Sequence, residues 1–241
     1  MTRIIQLGSA LLLAIAAASA QAANYAGTTF EIEMIVFERP QGMEQSRETW
    51  PTAPRLQYPS RWVDFDTARG GSLFLSPAAT RLDNKAAALT RGGDRVLFHK
   101  AWRQVLQQKR NSPAILISGG DRAGDQSRLG GSVTLSVSRY LHLSTNLWLS
   151  EFAAAGADSG IPLPRRPVAT TEEPLDLASE AGDFQAAAAS AFAAQPQQAV
   201  YAQHLVPLQA ERRMRSGELH YIDHPAFGIL IEVRTVSGSD E

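Results

Sequence analysis

The segment GSVTLSVSRYLHLSTNLWL, residues 131–149, is the strongest indication of the fold because apolar and polar residues alternate along almost its whole length. Val133, Leu135 and Val137 are separated by serine and threonine, and the same phase resumes after the central SRY. A period of two predicts β-strand with one buried face. About nineteen residues in one phase would make a strand ~60 Å long. We therefore expect a hairpin, bulge or bend near residues 140–146.

Strand patterns also occur on both sides of this segment. FEIEMIVF, residues 30–37, alternates and then closes into a fully apolar end, and AILIS, residues 114–118, is a short apolar run that precedes Gly119-Gly120. Past Gln203 strand patterns return, with a turn expected at Ser216-Gly217. The strands predicted there are Leu205 to Met214, Leu219 to Ile222 and Phe227 to Val236.

Two helices are predicted between the first strand and AILIS. Ser76-Pro77 supplies an N-cap hydroxyl and a proline at the first helical position, and Ala78 to Thr90 continues the helix. From Asp94 to about Lys109 the apolar residues again recur at helical spacing. The resulting expectation is an α+β fold, an antiparallel β-sheet with two helices packed on one face.

The N-terminus has the three parts of a secretory signal. Arg3 supplies the positive charge, residues 11–18 the apolar stretch, and Ala20-Gln21-Ala22 the cleavage site. We expect residues 1–22 to be a signal peptide and residues 23–241 to form a single domain. The chain contains no cysteine, so the exported protein has no disulfide. Export without disulfides suggests a bacterial periplasm, and we expect the protein to be located there.

Residues 153–200 differ in composition from the rest of the chain. They are rich in Ala, Pro, Gln, Glu and Asp, and bulky apolar residues are sparse. Such a stretch cannot build much core by itself, so we expect a flexible insertion or linker within the domain.

Charge and hydropathy argue against a nucleic-acid partner and against a membrane-spanning helix. Without the signal the chain has 22 Lys and Arg against 24 Asp and Glu, and nucleic-acid binders normally carry a basic excess. We therefore expect no nucleic-acid partner. After the signal no apolar stretch approaches the ~20 residues of a spanning helix, so no membrane span is expected after cleavage.

HYIDH, residues 220–224, contains three potential metal ligands, His220, Asp223 and His224. In a strand the two histidines stand ~13 Å apart, too far to share one ion. Pro225 disfavours the helix that would bring them together. A turn is therefore favoured over a ligand site, with Asp223 bonding the backbone. The turn interpretation pairs Glu218, His220 and Asp223 with Arg212, Arg213 and Arg215 across a hairpin.

No serine nucleophile motif is present, and cysteine is absent. We therefore predict that the protein is not an enzyme and binds neither a metal ion nor a cofactor. Aromatic rings that stack on sugars and arginines that hold carboxylates predict a ligand-binding surface instead. Trp102 and Trp148 are expected in the core. The candidate ligand-binding residues are Arg139, Tyr140, His142, Arg212, Arg213, His220 and Tyr221.

The chain resembles the CsiV family of periplasmic peptidoglycan-binding proteins of Gram-negative bacteria. The resemblance rests on FEIEMIVF, on GSVTLSVSRYLHLSTNLWL and on RRMRSGELHYIDHPAFGILIEV, residues 212–233. SRYLHL, and RRMRSGELHYIDHP with Gly228 after it, are the most specific parts. The resemblance implies a non-enzymatic protein that binds the cell wall and supports a class A penicillin-binding protein through its outer-membrane lipoprotein activator. It carries over no ligand-contacting residue.

Two other functions stay open at this point. One is a protein-interaction adaptor of the cell envelope that offers a sheet edge or the aromatic loop of residues 50–65 without binding the wall directly. The other is a wall hydrolase, which would need a pair of carboxylates or a metal cluster that the sequence does not display.

Overall fold

The computed structural model describes residues 25–42, 54–65, 75–154, 159–168 and 199–236. Within these ranges the chain forms twelve strands and one helix, arranged as two sheets packed face to face.

Sheet I is antiparallel and has five strands in the order β11-β12-β1-β4-β3. Its strands are β1 (Thr29–Glu38), β3 (Ser76–Pro77), β4 (Arg95–Val105), β11 (Leu219–Ile222) and β12 (Phe227–Thr235). The first strand of the domain lies beside the last one, with Phe30 opposite Thr235 and Glu38 opposite Phe227.

Sheet II follows the order β2-β5-β7-β8-β10-β9, and β6 also pairs with β7. Its strands are β2 (Trp62–Val63), β5 (Ala114–Leu116), β6 (Gly119–Ala123), β7 (Gln126–Val137), β8 (Leu141–Phe152), β9 (Ile161–Pro162) and β10 (Tyr201–Met214). The β2–β5 pair is parallel and the other pairs are antiparallel.

The core lies between the two sheets because each contributes one apolar face. Ile32 and Met34 of β1 belong to the same buried cluster as Val133 and Leu135 of β7. At ~1.5–3 kcal/mol for each buried aliphatic side chain, this interface is the main source of stability in a chain without disulfides. The predicted strand FEIEMIVF and the alternating segment 131–149 therefore form the two sides of one core.

The outer faces of both sheets are partly covered. On sheet I, Ile35 and Phe37 pack with Leu82 beside helix α1 (Asp83–Arg91). Both carboxylate oxygens of Glu33 accept backbone N–H groups of Arg81 and Leu82 at 2.8–3.0 Å, which holds the start of this helix on the sheet. On sheet II, Trp148 is fully buried beneath a segment that includes Tyr58, and the two ring centroids are 5.0 Å apart.

The predicted α+β class with two helices on one face is wrong, and the second helix accounts for most of the error. Residues 95–105 form β4, the neighbour of β1. A β-bulge places Val36 opposite Phe98 and Phe37 opposite Val96, so Leu97 is the extra residue. The bulge changes which face successive apolar residues occupy and so interrupts the period of two. The remaining apolar spacing imitates a helix.

The first predicted helix exists but starts later than expected. It begins at Asp83, whereas Ser76 and Pro77 pair with Arg103 and Trp102 of β4 as the edge strand β3. Proline tolerates such an edge position because it has no N–H to donate to a ladder.

The other strand predictions are confirmed, including the hairpin within residues 131–149. The chain reverses at Ser138–Tyr140, slightly before the expected stretch, and Val137 lies opposite Leu141. The turn at Ser216-Gly217 is also present, but β10 belongs to sheet II and β11 to sheet I. The predicted hairpin there is instead a connection between the two sheets.

The predicted signal peptide, residues 1–22, lies outside the described residues, as does most of the predicted insertion at 153–200. Inside that insertion Ile161 and Pro162 form β9, opposite Ala202 and Tyr201. No helix that the structure describes is both long and apolar enough to cross a membrane.

Candidate ligand-binding site

Tyr140 lies at the tip of the β7–β8 hairpin and leaves 41% of its surface exposed. The guanidinium carbon of Arg213 lies 4.4 Å from the centre of its ring. His142 is opposite Arg213 in the β8–β10 register, and its Nε2 is 3.4 Å from Ser138 Oγ. The hairpin and its neighbour β10 therefore bring together four predicted site residues: Arg139, Tyr140, His142 and Arg213.

An open cleft of about 230 Å³ lies beside Tyr140, at the end of the sandwich where both sheets stop. We call it the Tyr140 cleft. It is lined by Tyr25, Phe30, Val137, Arg139, Tyr140, Leu141, Met214, Arg215, Ser216 and Thr235.

The floor of the Tyr140 cleft is the end of the hydrophobic core. Phe30 comes from sheet I, and Val137, Leu141 and Met214 come from sheet II; all four are buried. Tyr25, 46% exposed, stands with Tyr140 at the margin. A concave apolar surface with a few polar groups at its edge is typical of ligand sites.

Arg139 and Arg215 supply the cationic rim of the cleft. Arg139 makes no hydrogen bond or ion pair with any described residue, and Arg215 is 3.6 Å from Glu218, a surface pair with side chains 78% and 53% exposed. Such exposed pairs contribute only ~0–1 kcal/mol, so Arg215 remains available to a ligand.

The connection between β10 and β11 holds Arg215 in place. The backbone N–H of Arg215 donates to Nε2 of His220 at 3.2 Å. Ser216 Oγ donates to the carbonyl of Val233 and accepts the N–H of Thr235, both at 3.2 Å. His220 thus contributes to the site through the backbone that it supports.

Arg212 does not line the cleft. It lies opposite Leu143 and on the same face of β10 as Met214 of the cleft floor, but neither Arg212 nor Arg213 is part of the cleft lining. Its exposed side chain makes no ion pair within the described ranges.

Tyr221 belongs to a separate cluster on the outer face of sheet I. Its ring stacks on Phe37, with centroids 6.3 Å apart, and its hydroxyl contacts Arg39 and Asp223. The Arg39 guanidinium also donates to Asp223 Oδ1 and to the carbonyl of His224, both at 2.8 Å. Hydrogen bonds from Tyr221 and then Arg39 hold the pKa of Asp223 below its usual range.

Each of the three potential ligands of HYIDH has a partner within the fold, and Asp223 contacts Arg39 and Tyr221 instead of the backbone two residues on. His220 contacts the Arg215 backbone, Asp223 pairs with Arg39, and Nδ1 of His224 accepts the N–H of Ala226 at 3.2 Å. In the part of the chain that the structure describes, no cluster of three or more His, Asp or Glu residues is arranged to hold a metal ion. Of the predicted cross-hairpin charge pairs, only Arg215 with Glu218 forms among those residues.

Two other concave surfaces have more polar linings. One, of about 210 Å³, lies at the opposite end of the sandwich, where Arg128 is paired with buried Glu38 and His204 with Glu151. The other, of about 370 Å³, lies between residues 55–57 and strands β8 and β10, where Asn146 already donates to the carbonyl of Gln57. The Tyr140 cleft differs because its rim includes an unpaired cation above an apolar floor.

Sequence reasoning missed Tyr25, Arg215 and the four floor residues. Arg215 lay within the arginine-rich run that carried the resemblance, so that run was the available signal. Tyr25 had none, because it follows the expected cleavage site without any periodic pattern.

The fold and the cleft together define a two-sheet β-sandwich with a concave candidate site at one end. The chain belongs to the CsiV family: the family model described as a peptidoglycan-binding protein, CsiV, matches residues 8–236. This match covers nearly the whole chain and confirms the resemblance noted in the sequence. No curated protein and no solved structure shows significant similarity to the chain.

Proposed function

We propose that this protein binds peptidoglycan in the periplasm without cleaving it, after removal of residues 1–22. The membership of the chain in a family described as peptidoglycan-binding supports the ligand. The observation that carries the proposal is the Tyr140 cleft, whose exposed tyrosines and arginines stand above an apolar floor. Peptidoglycan offers matching groups, since sugar rings stack on aromatic faces and peptide stems end in carboxylates.

The lining of the cleft favours binding over hydrolysis. Cleavage of a glycosidic bond ordinarily requires two carboxyl groups roughly 5–10 Å apart on either side of the bond. Among the described residues that line the Tyr140 cleft, none is an aspartate or glutamate. Glu218, 3.6 Å from the rim residue Arg215, is a single carboxylate and not a pair.

The proposed cellular role is support of a class A penicillin-binding protein through its outer-membrane lipoprotein activator. Family membership motivates this role. In it, the Tyr140 cleft would engage the wall while another surface of the sandwich engages protein.

An adaptor that does not bind the wall is the second candidate, and the edge of β10 favours it. Within the described ranges β9 covers only Tyr201 and Ala202 of this strand. The N–H of Ala210 points toward β8, where it donates to Thr145 Oγ1 at 2.9 Å. By alternation the N–H groups of Gln209, Glu211 and Arg213 point to the opposite side, where an extended partner segment can add as a strand.

Retention of the purified mature protein on sacculi tests the proposal. We expect the protein to sediment with sacculi at moderate salt and the sacculi to stay intact. Absence of retention would contradict the proposal of wall binding and favour the adaptor function. Release of soluble fragments from the sacculi would contradict the non-enzymatic role.

A further inference from the structure

The end of the sandwich that holds the Tyr140 cleft carries an excess of positive charge. Arg139 has no ionic partner in the described part of the chain, Arg213 contacts a neutral ring, and Arg215 has only the exposed Glu218. The whole chain has 23 basic and 24 acidic residues. This cationic end is therefore a local feature and not a result of overall basicity.

The polar groups of the cleft suit a carboxylate better than a sugar. Sugar hydroxyls both donate and accept hydrogen bonds, so their sites need acceptors as well as donors. Arginine only donates, and an ionised carboxylate only accepts. Ser216 Oγ, an acceptor at the margin, is already bonded to Val233 and Thr235. The lining includes no carboxylate or side-chain amide, and its other hydroxyls, those of Tyr25, Tyr140 and Thr235, can donate to a carboxylate as the arginines do.

The size of the cleft also favours a small apolar group. Its volume of about 230 Å³ is below the roughly 300–1,000 Å³ of pockets that enclose whole small molecules. The apolar floor of Phe30, Val137, Leu141 and Met214 suits methyl groups. An alanine residue of a peptide stem combines a methyl group with a nearby carboxylate.

We propose that the Tyr140 cleft binds the carboxylate-bearing peptide stem of peptidoglycan. Arg139 and Arg215 bind the carboxylate, and the apolar floor at the end of the core contacts the methyl groups. This inference rests on the proposed function, because it names the part of the wall that the cleft contacts. In it Tyr140, supported by Arg213, closes one side of the cleft over the stem.

Three probes separate the stem from the glycan. They are intact sacculi, glycan strands from which an amidase has removed the stems, and soluble stem peptides released from the same sacculi. A fourth sample, the stem peptides with their carboxylates blocked as methylamides, isolates the charge. We expect binding to sacculi and to free stems, and about tenfold weaker binding to bare glycan and to blocked stems.

Variants locate the contact. Arg139→Gln is expected to weaken binding to stem peptides about fivefold, as for loss of a charge-assisted hydrogen bond at a partly exposed site, with Arg139→Lys intermediate. Tyr140→Leu should weaken it as well. Arg122→Gln is the matched control, because Arg122 is an exposed arginine of β6, at the opposite end of β7, without an ion pair to a described residue. Thermal unfolding of each variant verifies folding.

The outcomes distinguish this inference from the proposed function. If the wild-type protein binds bare glycan as well as sacculi, or if folded Arg139→Gln binds stems like the wild type, the stem assignment is wrong and wall binding stands. If the wild type is not retained on sacculi at all, the proposed function fails, and the stem assignment fails with it.

Discussion

The guanidinium of Arg213 lies over the ring of Tyr140, with Cζ 4.4 Å from the ring centroid. Arg213 belongs to β10 and Tyr140 to the turn between β7 and β8, so this contact joins two residues that are 73 positions apart in the sequence. A cation over a ring face is attracted by the ring quadrupole. The contact therefore holds Tyr140 beside the cleft while 41% of the residue stays exposed.

The Arg213–Tyr140 contact predicts a measurable energetic coupling. In a double-mutant cycle with Arg213→Leu and Tyr140→Leu, the free energies of unfolding from urea titrations should show a coupling of ~0.5–1 kcal/mol. Arg213→Lys should keep part of it. Strict additivity of the two single variants would show that the contact has no energetic effect.

The two arginines Arg139 and Arg212 are predicted to contribute unequally to wall binding. The double variant Arg139→Ala with Arg212→Ala should weaken retention on sacculi while its circular dichroism spectrum stays that of the folded protein. Because Arg139 lines the cleft and Arg212 does not, Arg139→Ala alone should account for most of the loss. An equal loss from Arg212→Ala alone would place the contact surface elsewhere on β10.

Stability in acid should depend on Glu33, a fully buried carboxylate of β1. Burial raises its pKa, but hydrogen bonds from His99, from the backbone N–H groups of Leu82 and Arg81, and from Arg234 outweigh burial and lower the pKa overall. A lowered folded-state pKa gives stability that is complete above the unfolded value of about 4.3. That stability is lost as the pH falls through the folded-state pKa.

Urea titrations between pH 7 and pH 3 test this role of Glu33. Glu33→Gln should lower the free energy of unfolding at pH 7 by about 2 kcal/mol, since it removes one of the three carboxylates that contact Arg234 and weakens the anchor of helix α1. The variant should also lose part of the acid dependence. An acid dependence identical to that of the wild type would exclude Glu33 as its source.

The ion pair of Arg128 and Glu38 connects the two sheets at the end opposite Tyr140. Arg128 Nε lies 2.9 and 3.0 Å from the two carboxylate oxygens of Glu38, whose residue is 4% exposed. Arg128→Met leaves this buried carboxylate unpaired and should cost about 3 kcal/mol of unfolding free energy. Adding Glu38→Leu should recover most of the loss. If the double variant is as unstable as the single one, packing and not charge is responsible.

Gly131 is predicted to be the glycine of β7 least tolerant of a side chain. It has φ +118, and a Cβ there would lie 2.2 Å from the carbonyl oxygen of Asn146 and 2.8 Å from Leu147 Cα. Gly131→Ala should cost about 3 kcal/mol or more. Gly217→Ala is the control, because Gly217 has φ +78 with nothing within 4 Å of the added Cβ, so only ~1 kcal/mol of backbone cost is expected. Equal losses in urea titrations would contradict the steric explanation.

Strands whose apolar residues alternate without interruption could be predicted from the sequence. Strand β4, whose alternation is interrupted, could not. The β7–β8 hairpin and β1 each bury a regular face, so their period was visible locally. In β4 the bulge at Leu97 changes the face of the following residues, and its cause is the pairing with β1, about 60 residues earlier in the chain. The periodicity within β4 does not indicate that this segment pairs with β1.

The residues of the candidate site also fall into a group that could be predicted from the sequence and a group that could not. Arg139, Tyr140 and His142 lie on one hairpin, so their proximity followed from the hairpin itself. Arg215 reaches the cleft because the chain crosses from sheet II to sheet I after β10, and Tyr221 is drawn to Phe37 and Arg39 on the outer face of sheet I. These placements depend on which sheet each strand joins.

The family, most of the strands, the β7–β8 hairpin and the group of residues around Tyr140 could be predicted because each of these is encoded in contiguous residues. The packing of two sheets into one sandwich, the strand at residues 95–105 and the meeting of Tyr25 and Arg215 with Tyr140 around one cleft became visible in the fold alone. Burial and strand pairing are satisfied there by partners distant in the chain, which periodicity within a short segment does not identify.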